Sequence, residues 1–140
     1  MEIKEKIYRK IKQMKKYIDF LKSRKSISLN DLRKNYELKS AIERNFHLAI
    51  ESALDIGEII ISAENLEKPE DYRGVILILG REKILPEKFS KQFADSAGFR
   101  NILVHLYDKV DIKKLYNYLQ NNLKDFNKFN KYIAQYYQNK

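Results

Sequence analysis

The stretch AIERNFHLAIESALDIGEIII, Ala41 to Ile61, decides the fold. Within it Ile42, Phe46, Ala49, Ala53, Ile56 and Ile60 recur at spacings of four, three, four, three and four, which places them on one face of a helix and scatters them over both faces of a strand. The small residues Ala41, Ala49, Ser52, Ala53 and Gly57 permit a second helix to approach closely. A long helix with such a seam is predicted to lie at the centre of a bundle.

Helical spacing continues on both sides. Upstream, Ile3, Ile7, Ile11, Met14, Ile18 and Leu21 form the stripe of a first helix, and the capping and turn residues Ser26, Ser28, Asn30 and Asp31 predict a loop or short helical turn between the two. Downstream, Tyr72 to Leu79 reads as a third helix that stops at Gly80 or shortly after. Pro86 opens a fourth, from about Glu87 through the Leu106 region. Asp111 is placed to cap a fifth, which carries Ile112, Leu115, Leu119, Phe126, Ile133 and Tyr136. Four glycines and two prolines are too few for a chain of tight β-turns. The expected architecture is all-α, one domain over residues 1–140, with no internal repeat.

Of the 140 residues, 44% are hydrophobic, enough for one contiguous core. There is no cysteine, which excludes a disulfide scaffold, thiolate zinc sites and a cysteine nucleophile. The first 25 residues alternate apolar and basic side chains without an uninterrupted apolar run, so neither a secretory signal nor a membrane span is expected, and a cytoplasmic location follows. Charge is lopsided: 28 Lys and Arg face 19 Asp and Glu, a net +9. Ten of the bases and three of the acids lie in residues 1–25, so that segment carries +7 and the other residues only +2. A face of this kind attracts phosphate, an acidic protein surface, or only solvent.

Chemistry concentrates in the fourth predicted helix. Phe99, Leu103, Leu106 and Val110 share one apolar face, and Arg100, Asn101, Val104, His105 and Asp108 fall within an arc of roughly 140° on the other side. A guanidinium, an amide, an imidazole and a carboxylate projecting together can hold an anion. Asn101 and His105, four apart, are neighbours, so the amide can select the imidazole tautomer. Arg100 lies about 140° from His105, too far around one straight helix for both to reach one phosphate. Either the helix bends near His105 or two chains combine their sites.

The segment GFRNILVHLYDKVD, Gly98 to Asp111, resembles the HepT-like branch of the HEPN superfamily, whose signature R-x4-H-x-Y is met by Arg100, His105 and Tyr107. Similarity extends through the Ala41–Ile61 stretch, PEDYR (69–73), ILPEKF (84–89) and VDIKKLYNYL (110–119), and so covers roughly Tyr36 to Phe129. The resemblance implies a HEPN bundle of four to five helices that forms a homodimer, with two R-x4-H segments facing each other across a cleft. It further implies a metal-independent endoribonuclease toxin, paired with a small MNT-type nucleotidyltransferase antitoxin and needing no cofactor. Higher hetero-oligomers with the antitoxin are compatible with this. In that reading Arg100 and His105 are catalytic, Asn101 and Asp108 support them, and the partner transfers AMP to Tyr107 to silence the nuclease.

The residues are compatible with such chemistry. RNA brings its own nucleophile, the 2′-OH, so the protein must move protons and stabilise an anionic phosphorane, work within reach of imidazole and guanidinium. Glu51 and Asp55, in a row with Glu58, are either a solvated helix face or carboxylates that orient Arg100. His47 has no evident partner and reads as structural. The aromatics of the last helix are expected to be mostly core, with an exposed subset, such as Tyr118 or Tyr137, available to RNA. The competing reading is a noncatalytic HEPN module that binds a nucleotidyltransferase or nucleotide and uses the Arg–His pair only to contact phosphate.

Overall fold

The computed structural model describes residues 2–104 and 111–140, without the side chains of residues 101, 102 and 104. His105, Tyr107 and Asp108, the side chain of Asn101, and the apolar positions Leu106 and Val110 lie outside the described residues. Among those described there is no strand, and seven helices follow in order. They are α1 (Ile3–Ser23), α2 (Leu29–Lys34), α3 (Tyr36–Ala63), α4 (Tyr72–Arg81), α5 (Glu87–Val104), α6 (Ile112–Asn121) and α7 (Leu123–Gln138). None of them is long and apolar enough to cross a membrane.

Short polar side chains set the helix starts. Ser28 accepts a hydrogen bond from the Asp31 amide at 3.0 Å, and of the expected loop or short helical turn it is the helical one that forms, as α2. Asn35 closes α2 and caps α3, accepting from the Leu38 amide. Asp71 caps α4 through the Gly74 amide at 2.7 Å, and Asp111 caps α6 through the Lys113 amide at 2.9 Å. Two helix ends share one closing geometry. Asn65 and Lys83 adopt left-handed φ of 52° and 61°, and the next amides, of Leu66 and Ile84, donate back to the Ile61 and Leu79 carbonyls. The fifth predicted helix is two helices that meet at Asn122, whose φ of −112° interrupts the α-helical run.

The central position expected for the Ala41–Ile61 stretch is observed: α3 packs against α1, α2, α4, α5 and α7. Its seam residues Ile42, Phe46, Ala49, Ala53, Ile56 and Ile60 are all buried. One apolar cluster takes side chains from every helix, including Ile7, Met14, Ile18 and Leu21 of α1 and Leu115 and Leu119 of α6. Two glycines allow the closest approaches. A Cβ at Gly57 would stand 2.5 Å from Val75 on α4, and one at Gly80 would stand 2.4 Å from the Ser90 Cβ, so α4 nests against both α3 and the start of α5.

Candidate functional site

The end of α5 is fixed by an aromatic triad. Phe99 stacks on Tyr118 of α6 with centroids 4.2 Å apart and planes 12° from parallel, and Phe46 of α3 meets both rings edge-on at 6.0 and 5.5 Å. The Tyr118 hydroxyl donates to Ser96 Oγ one turn before Phe99. Burial pushes the Tyr118 phenol up to about 12. Tyr118, half-buried, therefore belongs to the packing, and Tyr137 is buried, so neither is the exposed base-stacking residue that the sequence suggested. A helical stripe does not reveal which of its aromatics face inward. Among the described residues the large hydrophobics on the surface are Ile3, Tyr36 and Tyr72.

Arg100 follows Phe99 and is held from two sides. Its Nε donates to Glu51 Oε1 on α3, and its guanidinium lies 4.2 Å from the centre of the Tyr72 ring on α4. A carboxylate in line with one N–H fixes the direction of the fork, and a ring beneath it fixes its plane. The arginine side chain is 18% exposed, so this happens at the margin of the core.

The same Glu51 oxygen lies 3.4 Å from His47 Nε2, one turn back along α3, and His47 Nδ1 lies 3.4 Å from an Arg44 guanidinium nitrogen. Because arginine can only donate, Nδ1 is the acceptor there, and the imidazole proton points from Nε2 towards Glu51. The histidine read as having no partner thus has Glu51 four residues on. The i, i+4 spacing was visible in the sequence. The other carboxylate of the pair, Asp55, does not meet Arg100: it accepts from Lys10 Nζ of α1 at 3.0 Å. Glu58 stands further along the row, its carboxyl raised above the usual range first by partial burial and then by Asp55 and Glu51. Among the described residues no group of His, Asp and Glu side chains forms a metal site.

The structure thus brings together Arg100, Glu51, His47, Arg44 and Tyr72 and places Asp55 with Lys10. Tyr72 had no signal in the sequence beyond its place in PEDYR, because its contact with Arg100 joins two different helices and no local spacing encodes it.

A sequence profile described as Ribonuclease HepT-like matches residues 10–133. The chain belongs to the HepT-like ribonuclease family. It is 35% identical over 101 residues to the tRNA nuclease HepT of Aphanizomenon flos-aquae, covering 72% of this chain and 69% of that protein. It is 23% identical over 100 residues to the mRNA nuclease HepT of Shewanella oneidensis, covering 71% and 75% of the two chains. Solved structures share the fold. A tri-AMPylated HEPN toxin of Shewanella oneidensis, in complex with an MNT antitoxin, superposes with a TM-score of 0.84 at 22% identity, over 96% of this chain and 98% of that one. A cytosolic protein of Bacillus subtilis, YutE, superposes with a TM-score of 0.84 at 24% identity, over 97% and 91%.

Proposed function

We propose that this HepT-like chain is a cytoplasmic, metal-independent endoribonuclease toxin, neutralised by an MNT-type nucleotidyltransferase that transfers AMP to Tyr107. The observation that carries the reading is the clamped Arg100, five positions ahead of His105 in a chain of the ribonuclease family. Arg100 grips nonbridging phosphate oxygens, and its hydrogen bonds strengthen as charge develops. His105 moves protons. Imidazole ordinarily titrates near ~6.5, so one copy can take the 2′-OH proton while another returns a proton to the departing 5′-oxygen. This division of labour calls for a homodimer whose two R-x4-H segments share a cleft. Asn101 and Asp108 orient the imidazole.

Modification of Tyr107 silences this chemistry by charge and bulk. The phenol oxygen attacks the α-phosphate of ATP, pyrophosphate leaves and the phenol proton is lost. The result is an anionic nucleotide two residues from His105 that competes with RNA for Arg100. Purified chain is expected to cleave RNA in EDTA. After coexpression with the antitoxin, intact-mass spectra are expected to show added AMP units that map to Tyr107, with cleavage lost in step. Failure to cleave any RNA, with tight antitoxin binding retained, would establish the noncatalytic module instead.

Glu51 and Asp55 separate the two fates of the carboxylate row. Glu51→Ala is expected to lower kcat/KM for RNA by about 10- to 100-fold, because a misaimed guanidinium forfeits orientation. Asp55→Ala is expected to change it less than about twofold, since an exposed ion pair contributes little. Equal rates for the two variants would show that the Glu51 contact does not aim Arg100.

A further inference from the structure

Ten of the first 25 residues are Lys or Arg. In the fold nine of these ten are exposed, and among the described residues none of the nine pairs with a carboxylate; the tenth, Lys10, holds Asp55. That contact orients the helix. At about 100° per residue, Lys6, Arg9 and Lys16 lie within about 120° of Lys10 on one flank of α1, and Lys4, Lys15 and Lys22 lie beyond the buried stripe on the other. Asp55 is one turn along α3 from Glu51, which holds Arg100. The flank marked by Lys10 therefore borders the polar row of α3 that leads to the site.

We propose that the α1 flank bearing Lys6, Arg9 and Lys16 is the docking surface for the phosphate backbone of the RNA substrate and delivers the strand to Arg100. The inference rests on the ribonuclease reading and adds the surface that captures the substrate. Three observations favour a polyanion over an acidic protein partner. Along the 21 residues of α1, a length of about 30 Å, Glu5 and Asp19 are the only acids against eight bases. The exposed large hydrophobic of α1 is Ile3 alone, whereas a protein interface is organised around apolar anchors. Both carboxylates of α3 that lie between Lys10 and Arg100 are already matched, Asp55 by Lys10 and Glu51 by Arg100.

The test uses the full chain with His105→Ala as host, which keeps RNA intact, and follows a labelled tRNA transcript by anisotropy from 50 to 300 mM KCl. In that host, K6Q/R9Q/K16Q is expected to weaken binding at least about tenfold at 100 mM. It should also make the log Kd against log salt slope shallower by about 2, three contacts at ~0.7 each. K4Q/K15Q/K22Q, the same change of charge on the other flank, is expected to shift Kd less than about threefold. Equal losses in both triples would mean that only net charge matters and would overturn the proposal, as would no loss in either. A site-flank triple that binds RNA normally but no longer binds the antitoxin would assign the surface to that partner. Cleavage by the wild-type chain in EDTA reports on the ribonuclease reading separately.

Discussion

RNA cleavage by His105→Ala is expected to fall by about 10³-fold while the thermal unfolding midpoint stays within a few degrees of wild type. General acid–base catalysis by a positioned side chain contributes on the order of 10²- to 10⁴-fold, and in the proposed homodimer a single substitution removes both the acid and the base. Arg100 remains, so RNA affinity should be largely retained and the loss should fall on kcat. Mixed dimers sharpen the result. If the two copies divide acid and base, a heterodimer of wild-type and His105→Ala chains should be nearly as impaired as the double variant; half of the wild-type rate would mean that each copy works alone. Cleavage by purified His105→Ala at the wild-type rate would remove the assignment altogether.

The second large effect is on stability. Phe46→Ala is expected to lower unfolding free energy by about 3–5 kcal/mol and the melting midpoint by about 10–20 °C. Phe46 is fully buried in α3 and meets Phe99 and Tyr118 edge-on, so its removal opens a cavity where three helices join. The damage is expected to reach the site below the melting temperature, because Phe99 adjoins Arg100 and Phe46 adjoins His47. Phe46→Leu, which fills much of the space, should recover most of the stability. A loss below about 1 kcal/mol in chemical denaturation of Phe46→Ala would show that the triad is not what fixes the end of α5.

What the sequence made legible follows the range of the interactions concerned. The α3 seam and the Asp111 cap are encoded by neighbours a few residues apart, and both are found where spacing put them. The break at Asn122 was hidden by the apolar stripe, which runs on from Leu119 through Leu123 to Phe126 as though the helix were continuous. Periodicity reports the face and is blind to one residue leaving the helical run. At the site, Glu51 and Asp55 were read alike, as a solvated face or as carboxylates that orient Arg100; Glu51 contacts it and Asp55 does not, a choice made by which flank of α3 meets α1 and which meets α5. Tyr72 depended on tertiary packing alone. The charge of residues 1–25 was plain in the composition, whereas its division into two flanks needed the single contact between Lys10 and Asp55.

The way α1 is attached bears on how such a protein changes over generations. It is anchored by Ile7, Met14, Ile18 and Leu21, while its outward bases other than Lys10 take part in no ion pair among the described residues. Substitutions at such positions usually alter stability by no more than about 0.5 kcal/mol. Lys6, Arg9 and Lys16 can therefore be exchanged at little cost in stability, whereas a change at Phe46, Phe99 or Tyr118 disturbs the packing of the other two. On the proposed reading RNA capture and cutting chemistry sit on separate parts of the molecule, so a change of charge on α1 retunes affinity for the strand without touching Arg100 or His105.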